Sequence, residues 1–278
     1  MGLFTKRADK KEGELSFLGH IEALRWHLVR SVLVIITLAG FAFAYPEFIF
    51  TKILFGPSKP DFFTFTFLCS CSEAWGMGEA LCFKVFNFKF QSIELMGQFS
   101  MQMWGSIVAG LVVGFPYLLW ELWRFVKPAL QQKEVNAARG FIFYASVLFM
   151  MGVAFAYWIV TPMAVYFLGN YQIDPEHPIG DNVFSMDSYI SVVTTLVLLM
   201  GLVFELPIVM YFLGRFGIIT AAFLRKYRKH ALIVILIVSA VITPTTDVFT
   251  QALVAFPLWI LFEASIIVVA RVEKRMAV

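Results

Sequence analysis

Apolar residues run along this chain in long uninterrupted blocks set apart by short polar ones. A helix needs roughly 20 apolar residues, each rising about 1.5 Å, to cross a bilayer. Residues 26–45, 99–123, 141–161, 189–213 and 248–270 each meet that length. A sixth block, 231–242, gives only about 18 Å of helix against a hydrocarbon core of about 30 Å. It crosses a thinned bilayer or recruits its flanks. The pattern predicts an all-α polytopic membrane protein with six spans, a short fifth span, the length of the sixth left open, and both termini on one face. The remainder divides into an N-terminal tail and amphipathic foot (1–25), long loops at 46–98 and 162–188, loops at 124–140 and 214–230, a turn at 243–247 and a tail at 271–278. Alternation within 84–90 suits a strand or a surface helix.

Composition agrees with the pattern. Of 278 residues, 60% are hydrophobic and 15% charged, where soluble domains hold about 45–50% and 25%. The opening "MGLFTKRADKKEGEL" is basic and polar, unlike a removable signal peptide, so the segment is expected to stay with the working protein. Charge then orients the chain. Eighteen of the 22 lysines and arginines fall on the side of the termini, leaving Lys52, Lys59, Lys84 and Lys89 on the other. Basic loops stay in the cytoplasm, so both termini are expected there, in a bacterial inner membrane.

Prolines shape the spans. Pro207 lacks an N–H and frees the carbonyl of Val203, bending its helix; Pro116 and Pro257 do the same to Val112 and Leu253. Three bent helices around a short one predict an open, curved, concave arrangement that serves as a docking surface more naturally than as a sealed pore.

Candidate chemistry is sparse. The chain has no Gly-rich phosphate loop, no GxSxG, no HExxH and no spaced Cys/His cluster, so neither an enzyme nor a bound metal or cofactor is expected, and no nucleic acid. His20, His27 and His230 read as interfacial groups and His177 as a loop residue. All three cysteines lie in the 46–98 loop. Either Cys82 pairs with Cys69 or Cys71, leaving one thiol over, or all three stay reduced. Glu205 is the sharpest anomaly. A carboxylate near the middle of a span costs about 2.5–3.5 kcal/mol, so it needs a role or a partner: a protonated or hydrogen-bonded structural group within the bundle, a polar contact for a partner helix, or a protonatable switch. Glu121 and Glu263 sit on other spans and form no evident catalytic group with it; Glu263 reads as a bundle-facing polar contact. A proton-coupled small-molecule carrier would also use a membrane carboxylate and kinked helices, but the two halves show no inverted repeat.

Four ordered stretches carry a family resemblance: "FLGHIEALRWHLVR", "WELWRFVKPALQQKE", "FELP" and "ITPTTDVFTQALVAFPLWILFEASI". Together with six spans they resemble TatC, the multispanning core of the twin-arginine protein translocase. The resemblance implies a receptor for signal peptides of folded cargo, with Glu134 meeting the Arg pair and Phe125 and Pro128 before it. It also implies assembly with TatA- or TatB-type single-span subunits and further copies of itself, driven by the proton-motive force. A guanidinium binds a carboxylate through paired hydrogen bonds that lysine cannot copy, which gives an Arg-Arg code a physical basis. The family's N-terminal Glu-Leu-Arg appears here as Ala23-Leu24-Arg25, with the acid one residue earlier at Glu22. That step turns a side chain about 100° around the helix; Glu22 either substitutes for the missing acid beside Arg25 or pairs with Arg25 itself. Asp247, one residue late relative to the usual Pro-Pro-Asp turn, is expected to cap the last helix. Glu205 and Pro207 fall on the face implicated in partner-subunit contacts, with Gln251 as an expected neighbour.

Overall fold

The computed structural model describes residues 17–76, 78, 82–83, 88–129, 140–172, 182–243 and 247–276. Five helices among them are long and apolar enough to cross a membrane. They are α1 (Phe17–Ala44), α3 (Gly97–Val126), α4 (Phe141–Asn170), the α5–α6 pair (Met186–Phe204 and Leu206–Arg215) and α9 (Val248–Met276). Two short helices, α7 (Ala221–Lys226) and α8 (Arg228–Ile242), precede α9, and α2 (Phe63–Ala74) lies in the first long loop. With only 15 residues, α8 spans about 22 Å and is the short fifth crossing of a six-helix membrane fold. The sixth is not short: α9 has 29 residues.

Antiparallel contacts fix which ends lie together. His27 of α1 meets Glu121 near the end of α3, while Gln102 at the start of α3 donates to the Phe43 carbonyl at 3.0 Å. Val269 of α9 packs beside Gly214 of α6, at the same end as His27 and Glu121. We call this the basic end.

Close helix approach rests on glycine. A Cβ on Gly110 would lie 2.7 Å from the Ala39 nitrogen, and one on Gly152 would lie 2.6 Å from the Met200 carbonyl oxygen. Gly201 meets the Phe149 ring in the same way. Lipid tails are as apolar as leucine side chains, so membrane helices associate through such close packing rather than through a hydrophobic drive. The central core follows, with Val160, Leu196, Met200, Val254 and Leu258 buried between α4, α5 and α9. By contrast, α1 presents Leu33, Ile36 and Phe41 outward, as lipid requires.

Prolines act as expected at one place and reveal an unexpected one. At Pro207 the long helix breaks: α5 ends at Phe204, and Glu205 N–H donates to the Leu202 carbonyl at 3.1 Å in a tighter turn. Pro162, inside α4, removes the bond that the Trp158 carbonyl would accept. A π-helical turn at Ala156–Val160 precedes it, and the Thr64 hydroxyl of α2 donates to the orphaned Trp158 oxygen. With that carbonyl satisfied from outside, α4 continues through Asn170, nine residues into what the hydropathy pattern marks as loop.

The end opposite the basic one is capped by ordered loop structure. A short parallel ladder pairs β1 (Phe88–Gln91) with β2 (Asn182–Ser185), in register Phe88 with Asn182. Tyr189 and Tyr157 donate to the carbonyls of Leu54 and Ile53 at 2.7 and 2.8 Å, anchoring the π-helical turn Glu47–Leu54 on the core. Phe55 stacks on Tyr189 at 5.1 Å.

The crossing of α4 and α5 sets an expectation. Gly152→Val forces a side chain into the Met200 backbone and is expected to cost about 1–3 kcal/mol, lowering the melting midpoint in detergent, whereas Gly40→Ala, which meets nothing within 4 Å, leaves it in place. Equal midpoints for the two variants would refute the crossing.

Candidate functional site: acidic groups in the spans

Each intramembrane carboxylate is met differently. Glu121 sits one turn before the end of α3 and is 1% exposed. The Tyr117 hydroxyl, one turn earlier on the same face, donates to its Oε1 at 2.9 Å, and Arg124 lies 3.5 Å away at i+3. Its Oε2 contacts Nδ1 of His27, 94 residues earlier on α1. Both oxygens are therefore engaged within the chain, which a buried acid requires. The His27 ring also meets the Phe125 ring edge-on at 6.2 Å, and Arg124 lies 4.8 Å over the Trp120 ring.

Glu263 is a polar contact between two helices. It pairs with Arg228 at 2.6 Å, with the two side chains 31% and 47% exposed, because α8 begins beside the middle of α9 and brings an arginine within reach. Glu273, nearly three turns further on, accepts the Ala221 N–H at 2.9 Å and so holds the start of α7. Three carboxylates thus tie helices together at the basic end.

Glu205 is the exception. Its Oε1 is buried and has no hydrogen-bond partner among the described residues. The side chain lines a cavity of about 360 Å³ between α3, α4 and α6, walled by Leu122, Trp123, Phe141, Ile208, Val209 and Phe212. The break at Pro207 shapes this setting: with the helix interrupted, Glu205 occupies the turn between α5 and α6, while Pro207 itself is buried. An acid in an apolar groove offers one strong polar contact to whatever enters.

The remaining sequence expectations fall in several places. Glu22 and Arg25 lie exposed on the foot of α1, with no ion pair joining them. Phe125 is partly buried against His27, and Pro128 is exposed in the single turn Lys127–Ala129. Glu134 lies outside the described residues. Gln251 does not join Glu205; its amide donates to the Leu236 carbonyl at 3.1 Å, tying α9 to α8. Asp247 Oδ2 accepts the Thr250 N–H at 2.6 Å and caps α9. Cys69 and Cys82 form a disulfide and Cys71 is free, which resolves the pairing that spacing left open.

Sequence reading missed the most connected site. It treated His27 as a solvated interfacial residue, yet the side chain is only 18% exposed and bonded to Glu121. The available signal was the spacing of Tyr117, Glu121 and Phe125, four residues apart on one face of α3; nothing local identified His27 as their counterpart.

These features define a polytopic helical membrane protein whose long helices keep acidic groups, three tied within the chain and one held in an apolar groove. Residues 19–257 match the family model described as Sec-independent protein translocase protein (TatC), and the chain belongs to that family. It is similar to the TatC of Blattabacterium sp. subsp. Periplaneta americana, with 35% identity over 266 residues, covering 95% of this chain and 98% of the relative. The TatC of Aquifex aeolicus is 33% identical over 250 residues, covering 89% and 91%. A crystal structure described as "Twin Arginine Translocase Receptor- TatC" superposes with a TM-score of 0.66 at 29% identity, covering 91% of this chain and 99% of the other. Protein translocation in a membrane is thus the family's role and this chain's.

Proposed function

We propose that the basic end faces the cytoplasm and receives Arg-Arg signal peptides of folded cargo, and that the Glu205 groove admits the helix of a TatA- or TatB-type single-span subunit. The observation that carries the first half is the meeting of His27 with Phe125. It draws together the two segments, the foot of α1 and the end of α3, to which the family resemblance assigns the peptide. Glu134 supplies the carboxylate for the arginine pair, Glu22 stands in for the acid missing at Ala23 with Arg25 beside it, and Phe125 and Pro128 form the apolar flank. A receptor function is also in the name of the similar solved structure.

The second half rests on Glu205 Oε1, buried and unpartnered in its groove. A hydrogen bond from a polar group on an incoming helix is worth most where water is excluded, and the turn at Pro207 holds the groove open. The short α8 lets the bilayer thin nearby, which eases passage of cargo. The working assembly is a complex with several copies of this chain in a bacterial cytoplasmic membrane, powered by the proton-motive force.

Crosslinking tests the receptor half. A probe at residue 134 is expected to capture an Arg-Arg signal peptide and not its Lys-Lys twin, and Glu134→Gln to abolish the capture; equal, weak labelling by both peptides would sink the assignment. For the groove, Glu205→Ala is expected to leave peptide capture intact while export falls by an order of magnitude or more, since the lost bond is worth about 1.5–3 kcal/mol. Normal export by that variant would exclude Glu205 as a docking group.

A further inference from the structure

Glu121 is too well partnered to hold a ligand. It is 1% exposed, and Tyr117, Arg124 and His27 take both of its oxygens. Of these partners only His27 lies on another helix. The foot of α1 is otherwise lightly held: Glu22, Leu24, Arg25, Trp26 and Leu28 are all exposed, and only about a tenth of this helix's apolar window is buried. Where the two helices cross, Gly110 lets their backbones touch, but that point is three turns from Glu121. Near the foot, the His27 ring reaches Glu121 and, edge-on, Phe125. The Ser31 hydroxyl donates to the His27 carbonyl at 2.9 Å, one turn back on the same helix.

We propose that the His27–Glu121 pair is the positioning element of the signal-peptide site. It rests on the receptor reading above and adds a mechanism to it: the pair fixes the spacing and rotation of the α1 foot relative to the end of α3. Glu22 and Arg25 precede His27 by at most five residues, and Phe125 follows Glu121 by four, so each lies within about one and a half turns of the pin. A peptide that bridges both segments meets a preset gap and loses less freedom on binding than one that must gather two loose helix ends. Glu121 itself touches no peptide. Removing the tie would leave His27 and Tyr117, each only partly exposed, without the acid that now joins them.

The test uses the full chain in membranes, with Cys71→Ser to remove the free thiol and spin labels at Ile21→Cys and Lys127→Cys, one on each side of the pin. Label distances are read without peptide, and Arg-Arg and Lys-Lys peptide affinities are read on unlabelled protein. In Glu121→Ala the distance distribution is expected to broaden and Arg-Arg affinity to fall at least about tenfold. Glu121→Gln keeps hydrogen bonds to both Tyr117 and His27, and is expected to hold a narrow distribution and an affinity within about threefold of the parent. Should Glu121→Ala fail to accumulate, His27→Ala, which leaves Glu121 bonded to Tyr117 and Arg124, is expected to give the same broadening and loss. An unchanged distance distribution overturns the proposal, whether or not affinity falls, because loss without movement makes Glu121 something other than a spacer. If the parent protein itself shows no preference for Arg-Arg over Lys-Lys peptide, the receptor reading fails and this proposal falls with it; if the preference is present and only the spacer result is negative, the receptor reading survives alone.

Discussion

Inside hydrocarbon no water is at hand, so each polar group must be answered by the protein itself. That constraint orders this structure more than any single apolar contact does. Packing of α1 on α3 and of α4 on α5 needs only small residues such as Gly110 and Gly152, and many helix pairs could satisfy it. The polar groups are less forgiving, because each has few geometries that serve. Glu121 finds Tyr117, Arg124 and His27; Glu263 finds Arg228; the Trp158 carbonyl, left over at Pro162, finds the Thr64 hydroxyl.

These ties have a common consequence. Each joins a peripheral element to one that lines the core. The exposed α1 is fastened to α3, the short α8 to α9, and the loop helix α2 to α4. Such arrangements give a fixed framework that carries peripheral segments. Glu205 then stands out by contrast, since the same chain that answers its other membrane acids leaves one Glu205 oxygen without an internal bond among the described residues.

How much of this could be read from sequence depended on how local the cause was. The spans were legible because hydropathy acts residue by residue, and the shortness of α8 followed from counting. Glu205 was legible as an anomaly within its own segment, and Asp247 as a cap one turn before the residues it serves. The extension of α4 to Asn170 was not, because Pro162 is a helix breaker until Thr64, 94 residues away from Trp158, supplies the missing donor. The His27–Glu121 tie was hidden for the same reason, with equal separation along the chain. Gln251 was expected beside Glu205 as part of the family resemblance; its amide bonds to the Leu236 carbonyl of α8 instead. The choice between Cys69 and Cys71 for Cys82 turned on which face of α2 points at the returning loop, a fact of packing and not of spacing.

The central claim is that the Glu205 groove is completed by a helix from another subunit. It is tested most directly by a photoreactive residue at Val209, which lines the groove and is 52% exposed at its rim, in membranes containing the assembled, exporting translocase. The account predicts a crosslink to the membrane span of a single-span subunit, mapping within about one helical turn of a polar residue. Labelling of lipid alone, in a complex that exports normally, would contradict it.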